Sequence, residues 1–420
     1  MKHVILLFAI IMAIGLNTQT LKAGETPLSM QEAVMRAIDN DPMLASIAER
    51  RRAMQDLAVA EGQLPDPRIK IASANLPVSN FDINQEPMTQ FQIGISQRFP
   101  RGDTRRLRSN RAEAGADIAD KRQEARLAAT ILETRRSWLE LGYWGRAVEI
   151  MAEQQTALEE LLNITRDHYA EAGGQQQDVL RAQLELGLLM DKILDANRQL
   201  ENAKASLSRW IGPLMAARPL MVDGLKLSDL RPRDQIRGAI PNHPIVGVSN
   251  AEIEVYRSDV GLARQAYKPE WGVDVTYGAR ANDPLGQNRA DFVSVMVNFD
   301  IPLFTGKRQD KRLSAARRNE AASRLEHDEQ IRQLEQMFDQ SWADWQRTGD
   351  RLELYEGELL DNSTETYIAT LNAYRNDVAD FALLIRARLL DFDTRIKALR
   401  LSTDHNQAQA RLLYLQGEEE

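Results

Sequence analysis

Short segments of the chain alternate apolar and polar residues with a period of two, the pattern of β-strands that have one apolar face. We predict four such strands, at residues 68–76, 91–99, 271–279 and 292–300. Runs of about ten residues match tilted strands that cross a bilayer with apolar side chains outward and polar side chains inward. Aromatic residues lie near the strand ends, as they do at membrane interfaces: Phe91, Phe99, Trp271 and Tyr277. A soluble sheet with one wet face is the alternative interpretation.

Four strands cannot close a barrel by themselves. An open strand edge in lipid would leave backbone N–H and C=O groups without partners, at several kcal/mol each. The smallest closed barrels in membranes have about 8 strands. If the predicted strands lie in a bilayer, the chain must therefore oligomerise, with two copies supplying about 8 strands or three copies about 12.

Between the strands, apolar residues recur at spacings of three and four, which predicts long amphipathic helices. Two proline-free runs, about 103–172 and about 307–376, would each be on the order of 100 Å long as continuous helices. Further helices are predicted at about 29–63, 178–211, 233–267 and 380–416. The stripe through Leu127, Ile131 and Trp138 has the spacing of helices that pack side by side as in coiled coils. An elongated bundle or coiled-coil rod would show the same spacing.

The chain also shows an internal duplication. Asn40-Asp41-Pro42 recurs as Asn242-His243-Pro244, and Phe99-Pro100 recurs as Ile301-Pro302. A period of about 200 residues is too long for a solenoid repeat and indicates a duplicated, domain-sized unit. We therefore divide the chain into a signal peptide (1–23), a first repeat (24–230) and a second repeat (231–420). Each repeat has a leading helix, two strands and long helices.

The composition favours long, half-exposed helices over compact cores, since 27% of the residues are charged and only 6% are aromatic. A net charge of -8 gives no reason to expect nucleic-acid binding. Lys2 and His3 precede an apolar run at residues 4–16, as in a secretory signal peptide, with an uncleaved anchor as the alternative. The chain has no cysteine, so we expect neither disulfides nor a lipid on an N-terminal cysteine.

Several motifs resemble those of the TolC-like outer-membrane efflux protein family, along essentially all of the sequence after residue 23. The matching elements are the opening Leu28-x-x-Gln31-x-Ala33-x-x-x-Ala37-x-x-Asn40-x-Pro42, the junctions Ser96-Gln97-Arg98-Phe99-Pro100-Arg101-Gly102 and Ile301-Pro302-Leu303-Phe304-Thr305-Gly306-Lys307-Arg308, and the hairpin element Tyr169…Gly173-Gly174…Asp178-Val179-Leu180-Arg181-Ala182. Each motif is degenerate. Their order and their duplication make the resemblance specific.

The resemblance implies a mainly α fold with a small transmembrane β part. Three copies would form an outer-membrane β-barrel of about 12 strands, four from each chain, continued by a long periplasmic α-helical barrel. It also implies a homotrimer in outer-membrane lipids that docks to a periplasmic adaptor (a membrane fusion protein) and an inner-membrane pump. The chain has no lipoprotein cysteine and its strand segments are compact. In these two respects it most resembles the exit ducts of heavy-metal pumps of the RND type.

The resemblance also implies a gate at the tips of the two hairpins between long helices, which would close the periplasmic end. In this family, acidic residues on the second tip can ring the constriction, but this chain has Arg386 there and Arg181 at the matching place in the first repeat. We predict a gate of mixed charge, in which the acidic residues Asp178, Asp377 and Asp380 pair with Arg181 and Arg386. Alternatively, Asp178 and Asp380 only cap helix starts, where carboxylates are favoured.

Two further sets of residues are candidates for contact with the pore or the membrane. The polar strand faces predict the barrel-lumen residues Ser96, Arg98, Asp274, Thr276 and Asn298. Basic clusters follow the second strand of each repeat, and we expect them to face lipid headgroups: Arg105, Arg106, Arg108, Lys307, Arg308 and Lys311. A solvated helix face is the alternative for these clusters.

These features predict an outer-membrane exit duct of a tripartite efflux system, with metal ions as its cargo. Multidrug efflux and type I protein secretion are the alternative cargo classes. An envelope coiled-coil structural protein is the alternative from a different class. The chain shows no phosphate-binding loop, no catalytic constellation and no metal-ligand spacing, so we predict neither an enzyme nor a cofactor.

Overall fold

A computed structural model of the chain describes residues 26–171, 175–222, 226–376 and 378–417. The predicted signal peptide and Asp377 lie outside these residues. The described residues form one small sheet and the α-helices α1 (Met30–Asp39), α2 (Pro42–Glu61), α3 (Thr104–Ala170), α4 (Gln176–Ile211), α5 (Pro213–Ala216), α6 (Arg233–Ala239), α7 (Pro244–Gln265), α8 (Gln309–Leu354), α9 (Leu360–Arg375) and α10 (Phe381–Leu415). No helix in these ranges combines the length and the apolar character needed to cross a membrane.

The sheet has four antiparallel strands in the order of the chain: β1 (Arg68–Ala74), β2 (Gln90–Phe99), β3 (Glu270–Ala279) and β4 (Phe292–Asp300). The first strand ends two residues earlier than predicted because Asn75 adopts a left-handed φ of 55°. The side-chain amide of Asn75 donates a hydrogen bond to the backbone carbonyl of Met88, and the chain leaves the sheet there. The pairing of β2 with β3 joins the two repeats, while β1 and β4 are the open edges of the sheet.

Each leading helix is broken in two, so the prediction of continuous helices at 29–63 and 233–267 is wrong. Pro42 and Pro244 occupy the first position of α2 and α7, where proline is tolerated because that N–H has no helical partner. The preceding residues cap these helices: the Asp41 carboxylate accepts from the Met43 amide at 2.9 Å, and His243 Nδ1 accepts from the Ile245 amide at 3.3 Å. The repeated Asn-x-Pro motif is therefore a repeated helix start.

The long helix of the first repeat, α3, is continuous and on the order of 100 Å long. Its counterpart in the second repeat runs without a gap from Gln309 to Arg375, close to the predicted range of about 307–376, but it is not regular throughout. A π-helical turn at Tyr355–Leu359 separates α8 from α9. Such a turn bonds each residue to the fifth along instead of the fourth, which interrupts the regular ladder.

The helices pack side by side in two layers that share α3. Next to the sheet the neighbours are α2, α3, α7 and α8, in that order; away from the sheet they are α4, α3, α10 and α9. Buried side chains of the second layer form one core that includes Leu158, Leu189, Leu384 and Phe392. Two further cores lie where the layers meet, around Trp138 in the first repeat and Phe338 in the second. One helix thus connects the sheet with the hairpin tips.

Candidate pore-lining and gating sites

One face of the sheet is apolar and open. Ile69, Ile95, Val275 and Val295 are register partners in one row across all four strands, with exposed fractions of 74%, 52%, 39% and 66%. At the end of the sheet nearest the helices, Phe99 stacks on Trp271 with ring centroids 4.1 Å apart. An open apolar face of this extent needs a nonaqueous partner, and a lipid bilayer supplies one.

The opposite face is polar, and it holds all five of the residues predicted to line a lumen: Ser96, Arg98, Asp274, Thr276 and Asn298. Ser96 lies opposite Asp274 in the register, and the Asn298 amide donates a hydrogen bond to the Asp274 carboxylate. Thr276 lies opposite Gly94, where an added Cβ would come within 2.7 Å of the threonine hydroxyl. Glycine at position 94 therefore leaves the space that the Thr276 side chain occupies.

Two basic residues on the polar face are absent from the predicted set. Arg68 and Lys70 of β1 lie opposite Ser96 and Gly94, on the same face as the predicted lumen residues. The alternation of Arg68 and Lys70 with Ile69 and Ile71 carries this signal in the sequence, although it is weaker than in the other strands. The polar face is therefore more basic than the sequence-based selection suggests.

A cavity of about 520 Å³ lies where the sheet meets α3. Four arginines contribute to its lining: Arg68, Arg98, Arg101 and Arg108. Arg101 is neutralised, because its guanidinium pairs with Asp300 and with Glu270, the latter at 3.5 Å, and also donates to the carbonyl of Ala266 at 2.9 Å. This arginine ties the ends of β3 and β4 to the start of α3.

The basic cluster of the first repeat is partly neutralised within the chain. Arg106 lies 3.6 Å from Asp103, Arg108 lies 3.7 Å from Glu61, and Arg105 reaches a backbone carbonyl at the end of α2. These contacts are as consistent with a solvated helix face as with a surface that binds lipid headgroups.

The second cluster is more open. Lys307, Arg308 and Lys311 are exposed, and no carboxylate of the described chain lies within ion-pair distance of them. They follow Leu303 and Phe304, whose side chains are 75% and 87% exposed. Exposed apolar residues beside free cations are typical of a membrane interface.

At the hairpin tips, the structure separates the predicted gate residues by role. Asp380 caps α10, with its carboxylate accepting from the Leu383 amide at 2.7 Å. Asp178 lies in the first turn of α4, while Arg181 and Arg386 are exposed. Among these four described residues, no ion pair forms inside one chain. Any pairing between them has to occur between copies of the chain.

Aromatic rings hold the two tips of one chain together. His168 of α3 lies against Tyr374 of α9 with ring centroids 6.2 Å apart, and Tyr374 packs on Phe381 of α10 at 5.9 Å. Both contacts have the edge-to-face geometry that aromatic quadrupoles favour. The two hairpins therefore meet as one unit at the end of the molecule.

Sequence reasoning missed a buried carboxylate between α9 and α10. The side chain of Asp391 is 1% exposed and accepts a hydrogen bond from the Thr364 hydroxyl at 2.8 Å. Arg395 and Arg388 lie 3.2 and 3.6 Å from it. A charged residue inside an apolar helix stripe, with arginines three residues before and four residues after it, is the sequence signal, but the hydroxyl of Thr364 comes from the neighbouring helix.

The described residues contain no group of three or more histidine, aspartate or glutamate side chains arranged to hold a metal ion.

Solved structures of the same fold come from several bacteria. A membrane protein of Pseudomonas aeruginosa matches with a TM-score of 0.78 at 15% identity, covering 92% of this chain and 92% of that chain. The CmeC outer membrane channel of Campylobacter jejuni matches with a TM-score of 0.79 at 13% identity, covering 92% and 85%. The outer membrane protein VceC of Vibrio cholerae matches with a TM-score of 0.76 at 14% identity, covering 92% and 96%.

No curated protein sequence is significantly similar to the chain. The sequence profile of a family described as outer membrane efflux protein matches it twice, over residues 33–213 and 236–418. One match falls within each predicted repeat and together they cover most of the chain, and the predicted resemblance to the TolC-like channels is confirmed. The chain belongs to the outer membrane efflux protein family.

Proposed function

We propose that this protein is the outer-membrane exit duct of a tripartite efflux system, which receives cargo through a periplasmic adaptor from an inner-membrane pump of the RND type. Members of its family are trimeric channels of the outer membrane with a large periplasmic part, and they work with adaptors and pumps. The observation that carries the proposal is the continuity of the molecule. A sheet with an open apolar face continues, through α3, into helices that end at the hairpin tips.

The open edges of the sheet support assembly with further copies of the chain, and the trimers of its family set the number at three. β1 and β4 have unpaired outer edges, which a bilayer does not tolerate. Pairing β4 of one copy with β1 of the next closes a ring of about 12 strands when three copies meet. The polar face then points into the lumen, and Ser96, Arg98, Asp274, Thr276 and Asn298 line it.

The base of this barrel would sit at the inner surface of the membrane. Phe304 and the cations Lys307, Arg308 and Lys311 follow β4 directly, and Arg105, Arg106 and Arg108 follow β2. Apolar anchors next to basic residues match the boundary between acyl chains and anionic headgroups. The helical layers then lie in the periplasm, with Asp178, Arg181, Asp377, Asp380 and Arg386 at its far end as the proposed gate.

For the cargo we propose heavy-metal ions, supported by the resemblance of the sequence to the exit ducts of metal-exporting pumps. In such a duct the metal is cargo that passes through water, so a resident site in the wall is not required. Multidrug efflux and protein secretion are the competing cargo classes.

A deletion strain tests the duct and its cargo together. Its growth is measured across copper, silver, zinc, cobalt and cadmium salts and across dyes, detergents and antibiotics, with and without the gene on a plasmid. Sensitivity confined to metals, restored by the plasmid, supports the proposal. Sensitivity to organic compounds instead would retain the duct and reject the metal cargo.

Fractionation tests the duct independently of its cargo. A duct is extracted from the outer-membrane fraction only with detergent and migrates as a trimer. Recovery of the protein from the soluble periplasm would reject the proposal in favour of a structural envelope protein.

A further inference from the structure

Two arginines on neighbouring strands share one polar surface, and neither has an ion-pair partner in the described chain. Arg68 of β1 lies opposite Ser96 of β2, and Arg98 is two residues further along β2 on the same face. Such diagonal neighbours have Cβ atoms about 7 Å apart, within reach of long side chains. Both arginines are exposed and both line the cavity at the base of the sheet. In the described part of the chain, neither guanidinium has a hydrogen-bond or ion-pair partner.

The other charges around the cavity are already committed to partners. Glu270 and Asp300 pair with Arg101, and Glu61 lies 3.7 Å from Arg108. The Asp274 carboxylate accepts a hydrogen bond from the Asn298 amide and is not among the residues that line the cavity.

Two charged groups near the cavity remain without partners. Asp66 also lines it, at its edge, as one carboxylate beside the two free guanidiniums. Lys70 follows Arg68 on the same strand face and adds a further cation. Among the residues that line the cavity, four arginines face two carboxylates, Asp66 and Glu270, so the net charge of the lining is positive.

Uncompensated like charges that the backbone holds together raise the local potential and favour an anion between them. A guanidinium presents parallel N–H donors that match a carboxylate or phosphate in a bidentate way. The Ser96 hydroxyl adds a donor, since Ser96 lies directly opposite Arg68 and two residues before Arg98 on the same face. A cavity of about 520 Å³ has room for a group of this size and for water.

We propose that Arg68, Arg98 and Ser96 form an anion-binding site in the lumen, at the mouth where the barrel meets the helical tunnel. It takes phosphate- or carboxylate-bearing solutes. In the trimer, three copies form a ring of six guanidiniums through which cargo passes. This inference rests on the proposed lumen orientation of the polar face, and it does not depend on the identity of the cargo.

Phosphate groups could also come from lipids. The site lies on the polar face, opposite the apolar row that contains Ile69 and Ile95, so a lipid headgroup outside the barrel cannot reach it. The inference commits to soluble anions that enter through the barrel.

Calorimetric titration of the purified trimer with inorganic pyrophosphate tests the site. The experiment uses about 20 mM salt, where the Debye length is about 20 Å and electrostatic attraction to the site is only weakly screened. We expect saturable binding to the unmodified protein, and affinity at least about tenfold weaker in Arg68→Gln/Arg98→Gln, since hydrogen bonds to charged groups are lost. Arg332→Gln/Arg347→Gln removes the same charge from exposed positions on α8 and should leave binding unchanged. Resistance of each trimer to dissociation in detergent verifies folding.

Other results would overturn the inference. Equal pyrophosphate affinity in Arg68→Gln/Arg98→Gln and the unmodified protein, or no binding to the unmodified protein, rejects the site. Arg68→Lys/Arg98→Lys keeps the charge without the planar donors, so it should bind with intermediate affinity. Competition by phosphatidylglycerol vesicles, but not by phosphatidylcholine vesicles, would assign the arginines to lipid. None of these outcomes bears on the growth phenotype of the deletion strain, which tests the duct separately.

Discussion

Arg400 of α10 binds Glu140 of α3, with its Nη1 atom 2.9 and 3.0 Å from the two carboxylate oxygens. Glu140 also accepts hydrogen bonds from Gln407 at 2.9 Å and from Trp144 at 3.0 Å. The Nη2 atom of the same guanidinium lies 2.7 Å from Oδ1 of Asp404. These contacts join the first repeat to the second midway along the helices, so the carboxylate of Glu140 is the centre of the link.

Removal of this carboxylate should loosen the link. We expect Glu140→Ala to lower the free energy of unfolding by about 1–2 kcal/mol, because three donors lose their acceptor and the site is only partly exposed. Glu140→Gln should cost less, since it keeps an acceptor. The temperature at which the trimer dissociates in detergent measures the effect. Glu49→Ala removes an exposed carboxylate from α2 as a control, and equal melting of the two alanine variants would contradict the prediction.

His243 should make the protein less stable in mild acid. Burial lowers the pKa of His243 below 6.5, and the hydrogen bond with the carbonyl of Tyr414 offsets this only in part. Between the folded pKa and 6.5, the unfolded chain binds more protons than the folded one, so the free energy of unfolding rises with pH and levels off above about 6.5. Chemical unfolding at a series of pH values measures this slope.

His243→Asn provides the comparison for that slope. Asparagine can still cap α7 through its side-chain oxygen, but it does not titrate. The variant should therefore be less sensitive to pH below about 6.5 than the unmodified protein. An unchanged slope in His243→Asn would show that other groups cause the dependence.

Two adjacent positions of β4 should differ in how well they tolerate a lysine. Val295 belongs to the open apolar row and Ser294 to the polar face. A lysine near the middle of the lipid face costs about 2–4 kcal/mol, whereas lumen positions tolerate charge. Val295→Lys should therefore reduce the amount of trimer recovered from the outer membrane, and Ser294→Lys should not. Equal recovery of the two variants would contradict the assignment of the faces.

The charged residues at the tips should restrict the flow of ions. We expect Asp178→Ala/Arg386→Ala to raise the single-channel conductance in planar bilayers, because contacts between copies that hold the tips closed are removed. Asp195→Ala/Arg198→Ala removes an exposed ion pair from α4 as a control with the same change in charge. Unchanged conductance in the tip variant would leave Asp178 as a helix-start residue and reject its part in a gate.

Local patterns in the sequence were sufficient for the strands and their faces. The period of two in residues 91–99 assigns Ile95 and Ser96 to opposite sides whatever strand lies next to them. The caps of helices are equally local, since Asp380 bonds to an amide three residues away. Helix breaks could have been predicted from Pro42 and Pro244, but the apolar spacing on both sides concealed them.

The arrangement of neighbours could not be predicted in the same way. Nothing near Asp391 in the sequence specifies that Thr364 will satisfy it, and the π-helical turn before α9 leaves no clear mark in the apolar spacing. Arg101 meets Asp300 only because β2 pairs with β3 and β3 pairs with β4.

The sequence by itself determined the duplication, the family, the strand faces and the helix caps, because each depends on residues close together in the chain or on a repeated pattern. Only the tertiary structure decided that Arg68 and Arg98 share a cavity in which neither has an ion-pair partner in the described chain, and that Glu140 holds the two repeats together. Such contacts depend on which strands and helices become neighbours. That choice is made by the packing free energy of the whole molecule, to which residues far apart in the chain contribute together.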